Sequence, residues 1–236
     1  MVQAARHSGV ALVAGMILRQ FPGPQAARMQ RLWESVGRIR QIRAAYGHPL
    51  DWPLRSLSLF DRSQVGGGVL LDLGVHLIDA IVWILEVEQM TVARYADDGE
   101  EGVEAEAEAE LQIHMPRHPG PIPCRIETSR LRSLSNCLEV IGERASLRIP
   151  LSSTDGPELS ISQGTGLARI AAVVPRHGVA CFAEQLVAFA RRVRGLEADL
   201  ADGDSQVPVL TVIEACYHQR RPLHWPWDAY RPWDAR

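Results

Sequence analysis

The most informative pattern in the chain is a long apolar segment that carries one narrow line of polar residues. Between residues 69 and 86, Gly74 is the only helix-breaking residue, and apolar positions recur at helical spacing on two faces. The pattern therefore predicts a buried helix with a single polar ridge. The ridge consists of Asp72, His76, Asp79 and Trp83.

Strict alternation of apolar and polar residues predicts strands in the middle of the chain. Residues 103–114 read VEAEAEAELQIH, and although Ala and Glu favour helices, this alternation places the apolar side chains on one face of a strand. The glutamates from Glu104 to Glu110 would then form an acidic face, which we expect to be solvated or to protect a sheet edge. Further strands are predicted at 38–46, 124–130, 137–141, 146–150 and 158–162.

The flanking segments predict helices and one further strand. Residues 10–16 are apolar and predict a buried strand, Pro24 begins a helix that runs to about Ser35, and residues 48–68 predict a long loop. Two helices are expected near the end of the chain, and the first has an apolar stripe formed by Phe182, Leu186, Phe189 and Val193. A strand-rich middle with flanking helices indicates an α+β fold with a large, mostly antiparallel open sheet.

Composition and charge exclude several classes of partner. The chain has 236 residues, 46% of them hydrophobic and 22% charged, and a formal net charge of −3 with both signs spread along the sequence. We therefore expect neither a nucleic-acid partner nor a membrane partner. The N-terminal apolar run is broken by glycines and lacks a basic flank, which argues against a signal peptide and favours a cytoplasmic protein.

Cysteine and lysine usage narrows the chemistry. Cys124, Cys137, Cys181 and Cys216 are irregularly spaced without a C-x-x-C pair, so reduced thiols are expected instead of zinc or disulfides. No lysine occurs anywhere in the chain. The aromatic C-terminal segment contains Trp225, Trp227 and Trp233, for which covering the protein's own core is the default expectation.

The polar ridge itself suggests acid–base chemistry. A lone histidine on an apolar helix is more often a hydrogen-bonded core residue, but the ridge adds two carboxylates to His76. Asp72 and His76 are four residues apart, so they can face each other and form a carboxylate-oriented imidazole suited to general acid–base catalysis. A metal site is disfavoured, because three ligands on one helix face would have to converge on one ion.

The segment from Gly66 to Asp79 resembles the G-G-G-x-L-x-D-x-G-x-H-x-x-D motif of the Gfo/Idh/MocA oxidoreductase family. Supporting similarities lie at residues 8–21, 35–45, 142–149 and 182–223, so the resemblance covers nearly the whole chain. It implies that residues 1–20 are the end of a Rossmann domain and that residues 21–236 are the family's second domain. That domain is a large, mostly antiparallel sheet that forms one wall of the active site and commonly mediates oligomers.

The resemblance also assigns roles to individual residues. Family members bind NAD or NADP on the Rossmann domain and act on sugars, cyclitols or related polyols. By position, His76 resembles the proton-transfer residue, and Asp72 resembles its orienting or substrate-binding partner. The further candidates for substrate binding are Asp79, Trp83 and Arg19, although a structural hydrogen bond is the favoured role for Asp79.

The chain departs from the family pattern at the cofactor. It has no G-x-G-x-x-G after a first strand and no E-K-P segment, whose lysine assists at the reacting hydroxyl in the family. We therefore expect the chain alone to bind neither NAD nor NADP. We expect it to bind no metal either.

Three functions remain open from the sequence. In the first, the chain is an enzyme that performs cofactor-independent proton transfer on a polyol-like or other oxygenated small molecule. In the second, it is one subunit of a split dehydrogenase, and a separate chain supplies the Rossmann domain. The third alternative is a non-catalytic dimerising or ligand-binding module. A true start upstream of Met1 would also account for the missing motifs. Because an open sheet exposes apolar surface, a homo-oligomer that buries the sheet face is expected.

Overall fold

A nine-stranded sheet forms the centre of the protein in a computed structural model that describes residues 1–51, 53, 57–99, 102–161, 167–169 and 174–223. The strand order is β11-β3-β4-β5-β2-β6-β7-β8-β9. The strands are β2 (Ile39–Gly47), β3 (Gln89–Asp97), β4 (Glu106–His114), β5 (Ile122–Ser129), β6 (Cys137–Gly142), β7 (Ala145–Pro150), β8 (Glu158–Ile161), β9 (Leu167–Arg169) and β11 (Arg220–Pro222).

Antiparallel pairing predominates in this sheet. Among the described residues, β2 pairs in parallel with β5 and β11 pairs in parallel with β3, while the remaining neighbours are antiparallel. A hairpin turn at Gly142 and Glu143 joins β6 to β7, two strands that the alternation predicted. The predicted fold class, α+β with a large and mostly antiparallel sheet, is confirmed.

Helices cover one face of the sheet, and a second, two-stranded sheet lies beside them. The helices are α1 (Val2–His7), α2 (Pro22–Met29), α3 (Arg62–Val65), α4 (Val75–Leu85), α5 (Gly178–Val193) and α6 (Gly203–His218). The small sheet pairs β1 (Val13–Ala14) with β10 (Ala201–Asp202). The three tryptophans of the C-terminal segment, Trp225, Trp227 and Trp233, lie outside the described residues.

Helix α4 is the central helix of the core, as its apolar periodicity predicts. Leu77, Ile78, Ile81 and Ile84 are fully buried. The stretch Arg62–Leu85 is long and apolar enough to cross a membrane by length and composition, but most of it is buried inside the protein. Such burial is typical of the core helix of a folded domain.

Two predicted elements near the N-terminus are shorter than expected. The buried strand predicted for residues 10–16 is wrong in extent: β1 spans two half-buried residues, and Val10 is exposed. The helix predicted from Pro24 to about Ser35 ends at Met29, because Arg31 adopts the left-handed conformation with φ 48°. A 3₁₀ turn, Leu32–Val36, follows.

The expectation of a solvated acidic face is wrong for two of the glutamates, one just before β4 and one at its start. Glu104 and Glu106 are only 2% and 3% exposed, respectively. Both have hydrogen-bond partners that compensate for burial, since Glu106 accepts from the Ser129 hydroxyl at 2.6 Å and Glu104 accepts from backbone N–H groups. Glu108 and Glu110 lie near arginines of neighbouring strands, as a polar face would predict.

The exposed apolar surface does not lie where the sequence suggested. The outer face of the sheet carries charged side chains such as Arg43, Arg125 and Glu139. Large exposed apolar side chains instead follow α5, where Phe182 and Leu186 are 56% and 68% exposed. The sequence argument for an oligomer assumed that the sheet exposes an apolar face. The described residues do not show such a face, so this argument fails, and the oligomer itself stays a prediction.

Candidate functional site

The candidate site begins at the glycines that precede α4. Gly66 ends α3 in the left-handed conformation, with φ 80°, which favours glycine. A side chain on Gly67 would overlap the hydroxyl of Tyr217, and one on Gly68 would overlap the backbone of Glu104. These two glycines therefore allow the start of the helix to pack directly against α6 and the segment before β4.

Glu104 caps this helix start, although it lies 34 residues after Leu70 in the sequence. Its Oε1 atom accepts hydrogen bonds from the N–H groups of Gly68 at 2.9 Å and Leu70 at 3.2 Å, and from the hydroxyl of Tyr217 at 2.7 Å. A carboxylate at this position satisfies N–H groups that have no partner within the helix and complements the positive end of the helix dipole. Glu104 thereby fixes the position of the first turn.

The first turn itself is a π-helix, Leu70–Gly74, which continues directly into α4. A π turn holds more residues than an α turn, so it changes the angle between Asp72 and His76 from the one that regular helical spacing gives. Such turns occur frequently at functional sites. Asp72 lies inside the π turn, and His76 lies just after it.

Asp72 forms an ion pair with Arg130, the residue that directly follows β5. The Nε atom of Arg130 donates to an oxygen of Asp72 at 2.8 Å, and the Nη2 atom donates to the same oxygen. The Nη1 atom of Arg130 also lies 3.1 Å from the ring of His48. The expected contact in which Asp72 orients His76 is not formed as a hydrogen bond among the described residues, because the carboxylate of Asp72 faces Arg130.

His76 is half-buried on the same ridge. Burial lowers the pKa of His76, and the nearby charges of Asp72 and Asp79 oppose that effect in part. Its Nδ1 atom is buried without a hydrogen-bond partner among the described residues. The imidazole is consequently neutral near pH 7 and able to accept a proton.

The remaining ridge residues form a buried network with Arg19. Asp79 is fully buried, and its two oxygens accept from Nε and Nη2 of Arg19 at 2.9 and 2.6 Å. Gln206 of α6 donates to Asp79 at 2.7 Å, and Trp83 donates to Asp199 at 3.3 Å. These contacts tie α4 to α6 and to the segment before α2. They do not bring Asp79, Trp83 or Arg19 to the cavity beside Asp72, so their substrate-binding role stays a prediction.

A cavity of about 240 Å³ lies beside Asp72. Asp72, Glu104 and Arg130 contribute to its wall, together with glycines and apolar residues of the segment before α4. A larger depression, of about 640 Å³, lies around Trp33 and His118. None of the ridge residues lines that depression, and therefore the cavity beside Asp72 is the better candidate site.

Metal chemistry has no support in the described part of the chain. No group of three or more His, Cys, Asp or Glu residues suited to a metal ion occurs there. The four cysteines are buried and free, and burial raises the pKa of Cys216 to about 12, so this thiol is not a thiolate ligand at neutral pH.

Sequence similarity identifies the family. The model of the GFO/IDH/MocA C-terminal domain matches residues 27–148, which include the glycines, Asp72, His76, Glu104 and Arg130. The chain belongs to the Gfo/Idh/MocA oxidoreductase family. The resemblance seen in the glycine-rich segment is thus confirmed.

Individual Gfo/Idh/MocA relatives are distant. Trans-1,2-dihydrobenzene-1,2-diol dehydrogenase of Sus scrofa is 26% identical over 187 residues, which cover 71% of this chain and 53% of the relative. The 1,5-anhydro-D-fructose reductase of Ensifer adhaerens is 34% identical over 107 residues, which cover 44% of this chain and 32% of the relative. The chain therefore spans about half, or less, of the length of these curated relatives.

Solved structures share the fold. An inositol dehydrogenase homologue from Azotobacter vinelandii, complexed with NAD⁺, superposes with a TM-score of 0.74 at 15% identity, covering 92% of this chain and 64% of that one. Aldose-aldose oxidoreductase from Caulobacter crescentus, complexed with glycerol, gives a TM-score of 0.70 at 21% identity and covers 92% of this chain and 64% of that one.

The glycine-rich segment before α4 does not fit the pyrophosphate of a dinucleotide. A glycine-rich turn at a helix start is the feature that holds a pyrophosphate in such proteins. Here the N–H groups of Gly68 and Leu70 are bonded to the carboxylate of Glu104, whose negative charge would repel a phosphate.

Three residues of the site escaped the sequence analysis. Glu104 sits in an alternating pattern that is typical of an exposed face, and Arg130 and Tyr217 carry no signal that links them to the ridge. Only the packing of β5 and α6 against the start of α4 brings them to it.

Proposed function

We propose that this chain binds a diol-like or sugar-like small molecule beside Asp72 and transfers a proton on it through His76, without itself using a nicotinamide cofactor. The observation that carries the proposal is the charged Asp72–Arg130 pair in the wall of a cavity, with His76 four residues after Asp72 on the same helix. His76 does not itself line the cavity, but it lies close enough to Asp72 and Arg130 for their charges to act on its pKa. The names of the relatives support the substrate class, since they act on a dihydrodiol and on an anhydro-sugar ketone.

The two parts of the site have different tasks in this proposal. Asp72 is 49% exposed and Arg130 is largely buried, so the pair presents a carboxylate to the cavity that accepts hydrogen bonds from substrate hydroxyls. His76 removes a proton from the substrate as a general base and returns one as a general acid. Because Arg130 holds Asp72, the carboxylate acts on the substrate instead of orienting the imidazole by a direct hydrogen bond.

A second candidate is the substrate-side part of an NAD(P)-dependent oxidoreductase whose nucleotide-binding domain is supplied elsewhere. It is favoured by the finding that the matched part covers only 53% or less of the curated relatives. In that case His76 would perform the same proton transfer at a hydroxyl, while the other domain would bind the dinucleotide.

Deuterium exchange tests the first candidate. A ketone such as 1,5-anhydro-D-fructose has an acidic proton on the carbon next to its carbonyl. Removal of that proton by His76 and return of a deuteron from D₂O would incorporate deuterium without a cofactor. We expect the full chain to catalyse this exchange, followed by NMR, and His76→Gln to slow it by about 10²–10⁴-fold.

His218→Gln is the matched control, because His218 is 78% exposed on α6 and does not line the cavity. It should leave the exchange rate unchanged. Oxidoreductase activity that requires both NADP and an added nucleotide-binding domain would support the second candidate. Exchange that persists in a folded His76→Gln variant would exclude His76 as the proton-transfer residue.

A further inference from the structure

The walls of the cavity beside Asp72 are mostly apolar. Among the described residues, its polar side chains are those of Asp72, Glu104 and Arg130. The apolar side chains of the described wall belong to Leu50, Phe60, Val65, Val69, Leu71, Val103 and Ala105. In this part of the wall a ligand therefore meets mostly hydrocarbon.

The volume of the cavity suits a ligand of about one ring. An apolar cavity of about 150 Å³ accommodates benzene. The cavity beside Asp72, at about 240 Å³, has room for a six-membered ring with a few substituents.

One carboxylate is available to hydroxyl groups in this cavity. It belongs to Asp72, which is 49% exposed and which Arg130 holds in place through one of its two oxygens. A carboxylate has several acceptor positions on its two oxygens, so it can accept hydrogen bonds from two neighbouring hydroxyls. Glu104 is not such an acceptor, because its Oε1 atom is bonded to the helix start and its Oε2 atom is buried.

From these contacts we propose that the cavity selects a single ring with an apolar face and two neighbouring hydroxyls over a fully hydroxylated ring. This specificity rests on the proposed function, because it concerns the same site. A diol places both hydroxyls at the carboxylate of Asp72 and its hydrocarbon face against Val69 and Val103. Each additional hydroxyl of a polyol would lose water against these apolar side chains without gaining a partner from them, which disfavours binding.

Two probes isolate this specificity. Trans-1,2-cyclohexanediol and myo-inositol have the same six-carbon ring and differ in the number of hydroxyls. We expect the full chain to bind the diol at least about tenfold more tightly in an NMR titration, because unpaired buried hydroxyls weaken binding by this factor or more. Equal or tighter binding of inositol, or no detectable binding of either probe, would overturn the proposal.

A wall variant gives a second, independent test. Val103→Thr adds one hydroxyl to the wall with little change of shape, so it should reduce the preference for the diol by several-fold. Val207→Thr, at a half-exposed position of α6, is the matched control and should leave the preference unchanged. An unchanged preference in folded Val103→Thr would contradict the role of the apolar wall.

The outcome is separable from that of the proposed function. If His76→Gln abolishes exchange but inositol binds as tightly as the diol, the specificity is refuted and the proton-transfer role stands. If the diol is preferred but His76→Gln retains full exchange, the specificity stands and the proton-transfer role is refuted.

Discussion

At the scale of single residues, periodicity predicted the ridge but not the partners of its members. Helical spacing placed Asp72, His76 and Asp79 on one stripe, and Asp79 is buried and paired, in agreement with the structural role favoured for it. The partner of Asp72 could not be predicted, because Arg130 lies 58 residues further along the chain. The π turn could not be predicted either, since the spacing argument assumes a regular α-helix.

The histidine of the ridge makes a prediction about pH. Burial keeps the pKa of His76 below its ordinary value, so the unfolded chain binds a proton more readily than the folded protein. The stability that follows from the neutral ring is present above a pH of about 6.5 and is lost as the pH falls toward the lowered pKa. Thermal unfolding between pH 5 and 8 should therefore show a smaller acid-side decrease of Tm in His76→Gln. An equal slope in both proteins would contradict the effect.

The two aspartates of the ridge should respond differently to substitution. Asp79→Asn leaves Arg19 buried without its counter-charge, so we expect the free energy of unfolding to fall by about 3–5 kcal/mol. Asp72→Asn breaks a partly exposed pair and should cost about 1 kcal/mol or less, while it weakens diol binding. Urea unfolding and the NMR titration measure the two effects, and the expectation fails if both variants lose the same stability.

At the scale of elements, alternation located the strands but misjudged which polar residues they expose. The strand predicted at 103–114 is present as β4, and its apolar face is buried. Glu104 and Glu106 are buried because neighbouring elements supply donors to them, and that supply depends on tertiary contacts. An alternating sequence contains no information about such partners.

The helix cap gives a prediction at this scale. Glu104→Ala removes the acceptor shared by Gly68, Leu70 and Tyr217, and we expect it to lower the free energy of unfolding by about 2–4 kcal/mol. Glu110→Gln is the control, because this glutamate is 57% exposed on β4, the strand that follows Glu104, and it should change stability by less than about 0.5 kcal/mol. Urea unfolding monitored by circular dichroism distinguishes the two. A Glu104→Ala variant as stable as the control would show that the cap is not needed.

At the scale of the whole molecule, the fold class followed from the sequence, but the order of the strands and the location of exposed apolar surface did not. Parallel pairing of β2 with β5 joins strands that are distant in sequence, which a local pattern cannot specify. The same limit applies to α5. Its apolar stripe was visible in the sequence, yet which side of the helix is buried depends on the docking of the whole element.

The location of the apolar surface leads to a prediction about self-association. Contacts through the charged sheet face would weaken with added salt, because screening acts on exposed charges, whereas contacts through the apolar side chains of α5 would not. We expect light scattering at micromolar concentration to report a dimer or larger species, since exposed apolar stripes of this kind favour association. Leu186→Ser, which removes a 68% exposed side chain from α5, should shift the mass toward the monomer. Arg125→Glu on the sheet face and added salt should leave the mass unchanged. The opposite pattern, with sensitivity to salt and to Arg125→Glu alone, would place the interface on the sheet face.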